Sequence, residues 1–203
     1  MDISGILLAG GGSRRMGVNK ALLEFGGIPL ISILSRQLSE IAKTVVICCS
    51  EIDKEKDTYG FLELPILTDI YANLGPLGGL HAGLSYSQTE WNAVIACDLP
   101  FASKEMLEHM LQLLENPEQT IQAIVPVAAN GKVQPLFALY HTSVLPSLNE
   151  ALVQQQSRVM EWLQGLKVLY IPEDEFPDSL TLGYDSLLNM NTPEDYRKAT
   201  QKE

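Results

Sequence analysis

The chain has 203 residues, of which 46% are hydrophobic; this composition is typical of one globular domain with a buried core and argues against intrinsic disorder. The formal net charge of −11 argues against a nucleic-acid partner, because the phosphate backbone repels an acidic protein. The sequence has no run of about 18 apolar residues and no basic leader at its N-terminus. We therefore expect a cytoplasmic protein without membrane segments and with a single domain over residues 1–203.

Apolar runs alternate with amphipathic segments along the whole chain. In chain order, the pattern predicts strands over residues 3–9, 44–49, 64–67 and 93–97, a hairpin from 121–128 to 133–140 with an Asn130-Gly131 turn, and a last strand over 167–171. It predicts helices over 29–42 (with Pro29 in the first turn), 77–87, 143–155 and 159–164, a weak helix over 53–60, a helix from an N-cap at Ser103 to Leu114, and a final helix opening at Thr192. This alternation predicts an α/β fold whose parallel strands are joined by right-handed crossovers.

Three of the predicted strands are followed by segments suited to binding a charged ligand. The glycine-rich loop follows the first strand, Asp69 follows the third, and Asp98 follows the fourth. In an open parallel sheet, ligands bind beyond the carboxyl ends of the strands. We therefore expect these three segments to lie at the same edge of the sheet.

The segment from Leu8 to Lys20 reads Leu-Ala-Gly-Gly-Gly-Ser-Arg-Arg-Met-Gly-Val-Asn-Lys. Glycines let backbone N–H groups approach a phosphate chain closely, and Arg15 and Lys20 supply the cations that an acidic protein needs to bind one. A Walker A loop is excluded, because it requires Gly-Lys-Ser/Thr. The dinucleotide fingerprint is excluded as well, because it requires a glycine where Arg15 stands.

The whole segment resembles the signature of nucleotidyltransferases of the molybdenum cofactor guanylyltransferase type. Further segments similar to that family follow in the family's order: Gly75-Pro76-Leu77-Gly78-Gly79, Cys97-Asp98-Leu99-Pro100, Gln134-Pro135-Leu136, Arg158-Val159-Met160 and Asn191-Thr192-Pro193-Glu194. The resemblance implies a three-layer, Rossmann-like nucleotidyltransferase fold with a mostly parallel central sheet. It also implies transfer of GMP from GTP to molybdenum-molybdopterin, which gives the guanine dinucleotide cofactor and pyrophosphate.

The same resemblance implies roles for individual residues. The residues expected to bind the nucleotide are Leu8, Ala9, Gly10, Gly11, Gly12, Lys20, Asp69 and Asp98. We expect Lys20, Arg15 and Asp98 to take part in catalysis. Asp98 is also the expected ligand of a Mg²⁺ cofactor, because Mg²⁺ takes one or two carboxylates together with phosphate oxygens and water. Molybdopterin-inserting enzymes and molybdoenzyme chaperones are the protein partners that the resemblance implies.

Two alternatives stay open. A sibling transferase with the same loop could use CTP, or form a sugar- or alcohol-phosphate diester. Gly10-Gly11, where the cytidylyl type more often has Ala-Gly, favours guanine, whereas Cys48-Cys49-Ser50 replaces a family asparagine near that base, and a thiol does not offer the same hydrogen bonds. A nucleotide sensor without turnover is an alternative of another class, and the presence of both Lys20 and Asp98 argues against it.

Overall fold

The computed structural model describes residues 1–10, 19–68, 71, 74–115, 120–177, 180 and 187–200. The strands within these ranges are β1 (Ile3–Leu8), β2 (Glu24–Phe25), β3 (Ile28–Pro29), β4 (Thr44–Cys49), β5 (Ile66–Thr68), β6 (Trp91–Ala96), β7 (Ala123–Val127), β8 (Phe137–His141) and β9 (Val168–Pro172). The helices are α1 (Leu30–Ile41), α2 (Glu51–Glu55), α3 (Pro76–Tyr86), α4 (Lys104–Gln112), α5 (Leu145–Val153), α6 (Val159–Leu163) and α7 (Pro193–Thr200).

Seven of these strands form one sheet, in the order β5-β4-β1-β6-β8-β7-β9. β1 pairs in parallel with β4 and β6, and β4 pairs in parallel with β5. β8 runs antiparallel to β6 and β7, while β9 is parallel to β7. The predicted mostly parallel sheet is confirmed, and the carboxyl ends of β1, β4, β5 and β6 meet at one edge.

Helices cover both faces of the sheet and give the three layers that the resemblance implies. On one face, α1 buries Leu30, Ile31, Leu34 and Leu38, which recur at helical spacing, in the same cluster as Met106 of α4. On the other face, α3, α5 and α6 contribute to a second cluster of buried residues. Among the described residues, no helix has both the length and the apolar character needed to span a bilayer.

The start of α1 differs from its prediction. Pro29 lies in β3 and is the N-cap of α1, not part of its first turn. β2 and β3 form a small hairpin whose turn contains Gly26 and Gly27, with φ values of 55° and 78°. Strands of two residues are too short to show an alternating pattern, so the sequence did not reveal this hairpin. The weak helix predicted over 53–60 is also displaced, because the side chain of Ser50 caps a helix that begins at Glu51.

The hairpin predicted around Asn130-Gly131 is present only in part. Its turn is formed: Ala128 N donates to Lys132 O at 2.9 Å, and Gly131 has a φ of 80°. The ladder is interrupted, because β8 begins at Phe137 and not at residue 133. Pro135 has no N–H to donate, which favours such an interruption. Val133 still bridges to Val127 and Gln134 N still donates to Pro126 O at 2.9 Å, but within this irregular stretch the side chains of Gln134 and Leu136 reach the functional site.

Candidate active site

A cavity of about 240 Å³ opens at the carboxyl ends of β1 and β6, where an open parallel sheet is expected to bind its ligands. It draws residues from the start and the end of the glycine-rich loop, from the strand ends and from the C-terminal segment. Its lining residues are Leu8, Ala9, Gly10, Asn19, Lys20, Ala21, Pro76, Ala96, Cys97, Asp98, Leu136 and Asn191.

Asp98 lines this cavity two residues after the end of β6. Its Oδ1 is buried and has no hydrogen-bond partner among the described residues, while the side chain of Asn189 hydrogen-bonds the carboxyl group. Burial raises the pKa of Asp98 above its ordinary value, and the charge of Lys20 and the bond from Asn189 oppose this shift by favouring the ionised form. A buried carboxylate oxygen without a partner is costly in an isolated protein, so this atom is poised to bind a cationic ligand.

Lys20 is held at the opposite end of the loop from Leu8. It begins a 3-10 turn, Lys20–Leu22, whose N-cap Asn19 accepts a hydrogen bond from Ala21 N at 3.1 Å. Its Nζ donates to Asn191 Oδ1 at 3.1 Å. Lys20 and Asp98 therefore bring a cation and a carboxylate into one cavity, the pair of charges that a metal-bound phosphate chain requires.

The segment 187–191 is tied to the strand ends by several hydrogen bonds. Met190 N donates to Asp98 O at 2.6 Å. Gln134 Nε2 donates to Leu187 O at 2.7 Å and to Asn189 Oδ1 at 3.0 Å. Lys132 Nζ also donates to Asn189 Oδ1. The side chains of Lys132, in the hairpin turn, and Gln134, just after it, thus fix the segment that carries Asn189 next to Asp98.

A capping box orients Asn191 at the start of α7. Thr192 Oγ1 accepts from Asp195 N at 3.1 Å, and Asp195 Oδ2 accepts in return from Thr192 N at 2.8 Å. The same Asp195 oxygen accepts from Asn191 N at 2.9 Å. Thr192 therefore does open the last helix, as predicted, and this cap holds the residue that contacts Lys20.

The start of the loop is fixed by neighbouring strands. Ala9 N donates to Cys48 O at 2.9 Å, and Cys97 N donates to Leu8 O at 3.1 Å. A Cβ added to Gly10 would lie 3.4 Å from the backbone of Cys49 and Ser50. The loop thus leaves β1 in close contact with the end of β4, at the segment Cys48-Cys49-Ser50.

The residues at the end of β4 are engaged in the fold. Cys48 and Cys49 are buried, and burial raises the pKa of the Cys49 thiol to about 11. Ser50 Oγ accepts from Asp53 N at 3.2 Å and donates to Asp53 Oδ2 at 2.5 Å. The two cysteines therefore pack in the core, and Ser50 caps α2.

The structure brings together five of the predicted site residues: Leu8, Ala9, Gly10, Lys20 and Asp98. The predicted residues Gly11, Gly12, Arg15 and Asp69 lie outside the described residues. Arg158, at the N-cap of α6, is exposed and pairs with Glu161 at 2.8 Å.

Sequence reasoning missed Asn19, Lys132 and Asn189. A capping asparagine directly before Lys20 was visible as a signal for Asn19. No local pattern marks Lys132 and Asn189, because their role depends on long-range packing.

The site fits a divalent cation whose ligands come partly from the protein and partly from the substrate. Among residues 1–10, 19–68, 71, 74–115, 120–177, 180 and 187–200, no group of three or more His, Cys, Asp or Glu side chains could enclose a metal ion. Asp98 Oδ1 is a hard oxygen donor, which suits Mg²⁺, and this ion commonly takes one or two carboxylates and completes its shell with phosphate oxygens and water. The residues present fit an ion that binds together with a nucleotide.

Comparison with known proteins agrees with this geometry. Residues 5–169 match the family model of the MobA-like NTP transferase domain. The chain is 36% identical over 200 residues to a probable molybdenum cofactor guanylyltransferase of Bacillus cereus, covering 97% of this chain and 94% of the relative. It is 33% identical over 192 residues to a protein of the same description from Carboxydothermus hydrogenoformans, covering 95% and 92% of the two chains.

A solved structure is also similar over nearly its whole length. The crystal structure of molybdopterin-guanine dinucleotide biosynthesis protein A from Archaeoglobus fulgidus superposes with a TM-score of 0.83 at 26% identity, covering 98% of each chain. The family match, the two relatives and this superposition span both the loop and the strand ends that build the cavity. The chain therefore belongs to the family of MobA-like NTP transferase domains and is a nucleotidyltransferase.

Proposed function

We propose that this nucleotidyltransferase transfers GMP from GTP to molybdenum-molybdopterin, with Mg²⁺, and releases pyrophosphate. The observation that carries the proposal is Asp98, whose buried Oδ1 has no partner among the described residues and whose carboxyl group shares a cavity with Lys20. The relatives described as probable molybdenum cofactor guanylyltransferases, which align over more than nine-tenths of the chain, supply the identity of the two substrates.

The reaction forms one P–O bond and breaks another. A terminal phosphate oxygen of the acceptor attacks the α-phosphorus of GTP, and the bond from that phosphorus to the bridging oxygen breaks. Pyrophosphate leaves with the bonding electrons. The attacking phosphate monoester is already ionised near neutral pH, since its second pKa is about 6, so the protein needs no general base.

The protein's part is positioning and neutralisation of charge. Lys20, held by Asn191, is placed to bind the phosphate chain. Asp98 would hold the Mg²⁺ ion, which when bound neutralises charge on the phosphates. Leu8, Ala9 and Gly10 line the cavity beside these side chains and would offer a surface for the nucleoside.

The first test is calorimetric titration of the protein with GTP, CTP and ATP, each with Mg²⁺. We expect tight, selective binding of GTP. Selective binding of CTP or ATP would keep the transferase chemistry but move the function to a sibling enzyme, and would identify the Cys48-Cys49-Ser50 segment as the first place to look for the altered base contact.

The second test follows pyrophosphate release from GTP in the presence of molybdenum-loaded molybdopterin. We expect release that depends on both the acceptor and Mg²⁺ and stops when the metal is chelated. Nucleotide binding without any turnover would favour the sensor alternative instead.

A further inference from the structure

One fully buried tyrosine hydroxyl connects the two ends of the glycine-rich loop. Tyr59 is 0% exposed, and its ring lies in the core cluster on the α1 face of the sheet. Its hydroxyl donates to Ala9 O at 3.2 Å and accepts from Asn19 Nδ2 at 2.8 Å. Ala9 is where the loop leaves β1, and Asn19 is the residue before Lys20.

The polarity of these contacts fixes the Asn19 amide in one orientation. Its Oδ1 already accepts from Ala21 N at 3.1 Å, so its Nδ2 must face the tyrosine oxygen. If the two amide atoms were exchanged, the Asn19 Nδ2 group would face Ala21 N, and two donors would meet with no acceptor between them. The Tyr59 oxygen would also lose the N–H group that donates to it. The Asn19 amide therefore links the Tyr59 hydroxyl directly to the turn that begins at Lys20.

Tyr59 itself sits on a firmly bonded turn. Thr58 N donates to Asp53 O at 2.9 Å, and Gly60 N donates to Asp57 O at 3.1 Å. A Cβ at Gly60 would lie within 2.5 Å of the Asp57 carboxylate, so this position requires a glycine or a displaced Asp57. Because the ring is buried and the backbone on both sides is bonded, the hydroxyl is a fixed point against which both loop ends are set.

We infer that Tyr59 is a positioning residue of the nucleotide site: its hydroxyl clamps Ala9 to Asn19 and so sets the spacing between the nucleoside-binding start of the loop and Lys20. The functional half of this inference rests on the proposed nucleotide binding. The clamp holds both loop ends before any ligand arrives, so the protein does not lose that ordering entropy on binding. Burial raises the pKa of Tyr59, which keeps the hydroxyl protonated and able to donate to Ala9.

The test uses Tyr59→Phe, which keeps the buried ring and removes only the hydroxyl. Ser4→Ala is the matched control. Ser4 is 3% exposed and lies on β1 near the end opposite Leu8. Its hydroxyl bonds Thr44 Oγ1 at 3.1 Å and accepts from the hydroxyls of Ser87 and Thr89 at 3.0 and 2.9 Å. Both variants lose a buried hydroxyl, so both are expected to lose some thermal stability.

The first readout is amide hydrogen exchange without nucleotide. We expect Tyr59→Phe to accelerate exchange at Ala21, Leu22 and Leu23, whose N–H groups are bonded within the turn, more than at Val46 in the sheet. Ser4→Ala should leave the three turn amides unchanged relative to Val46. Unchanged exchange at the turn in Tyr59→Phe, or a rise equal to that at Val46, would overturn the clamp.

The second readout is the Kd for GTP with Mg²⁺, measured well below the melting temperature. We expect Tyr59→Phe to raise it about five- to thirtyfold and Ser4→Ala to leave it unchanged. Asn19→Ser keeps an N-cap acceptor but is too short to reach Tyr59. If both residues act through one clamp, the double variant Tyr59→Phe/Asn19→Ser should have a Kd no higher than that of whichever single variant binds GTP more weakly. Additive losses would contradict a shared clamp. If the unaltered protein binds no nucleotide, the proposed function fails while the exchange experiment still decides the clamp.

Discussion

Lys20 Nζ donates a 3.1 Å hydrogen bond to Asn191 Oδ1, which joins residues 171 positions apart in the chain. The contact brings the C-terminal segment over the cavity at the end of β1. Asn191 is itself oriented by the Asp195 cap, so the position of the lysine depends on a helix formed at the end of the sequence. A cation held by a neutral amide keeps its full charge available for a phosphate chain.

Lys20→Ala should weaken triphosphate binding and nearly abolish turnover. One charge-assisted contact to phosphate is lost, which corresponds to about ten- to a hundredfold in Kd. Thermal stability should change little, because the Lys20–Asn191 bond is exposed. Lys43→Ala is the control, since it breaks the 3.0 Å ion pair with Asp2, away from the cavity residues. Calorimetry and a pyrophosphate assay measure both effects, and an unchanged rate would remove Lys20 from the site.

Asp98→Asn should raise the stability of the metal-free protein while abolishing Mg²⁺-dependent turnover. Burial raises the pKa of Asp98, with Lys20 and Asn189 opposing the shift. Because the pKa of Asp98 is higher in the folded than in the unfolded protein, protonation of this group stabilises the fold. That stabilisation is fully present below the unfolded pKa and is lost as the pH rises through the folded pKa. The asparagine variant does not ionise, so its advantage in melting temperature should be absent in acid, grow as the pH rises from the unfolded toward the folded pKa, and be complete above the folded pKa. Melting curves without metal between pH 4 and 8 test the stability claim, and full Mg²⁺-dependent activity in the variant would reject the metal role.

Asp195→Ala should loosen the start of α7 and cost about 1 kcal/mol of stability. Burial acts to raise the pKa of Asp195, but the bonds from Asn191 and Thr192 outweigh it and leave that pKa lowered. Because the pKa of Asp195 is lower in the folded than in the unfolded protein, its ionised carboxylate stabilises the fold. That stabilisation is present above the unfolded pKa and is lost as the pH falls through the folded pKa. The destabilisation should therefore be largest near neutral pH and shrink in acid below the ordinary aspartate range.

Chemical denaturation at several pH values measures the effect at Asp195. Glu194→Ala is the matched control on the same helix turn, because its exposed pair with Lys198 contributes little. A destabilisation in Asp195→Ala that does not depend on pH would show that the negative charge of the carboxylate is not the cause.

The sequence was most informative where chemistry is local. The alternation of apolar strands and helices predicted the parallel sheet, and the position of Asp98 after a strand predicted its place at the sheet edge. Ser103 is the N-cap of α4, as predicted, and its side chain accepts from Met106 N at 3.3 Å. Each of these rests on a pattern within a few residues or on a general rule for parallel sheets.

The remainder of the site depends on contacts between distant segments. Nothing near Tyr59 in sequence distinguishes it from an ordinary core tyrosine, because its partners lie 50 and 40 residues away. Asn189 acquires its role only when Gln134 and Lys132 hold it beside Asp98. Such arrangements follow from the packing of the whole domain, which a single sequence does not specify by pattern.

Gly75→Ala should destabilise the protein by about 1–3 kcal/mol. Gly75 precedes Pro76 at the start of α3 and has φ 64° and ψ −147°. Residues with a Cβ rarely adopt this backbone conformation. The added Cβ would have room, since its nearest neighbour is Ser157 O at 3.6 Å, so the cost comes from backbone strain and not from a clash.

Gly165→Ala is the matched control for Gly75→Ala. Gly165 does not have a positive φ, and a Cβ there would lie 3.4 Å from Trp162 O, an ordinary contact. We expect this control to match or slightly exceed the parent in stability, because alanine restricts the unfolded chain. Gly75→Ala should in addition weaken GTP binding, since relief of the strain would displace Pro76, which lines the cavity. Urea denaturation and calorimetry of the two variants separate these effects, and equal stability of both would mean that the backbone at Gly75 is not strained by a side chain.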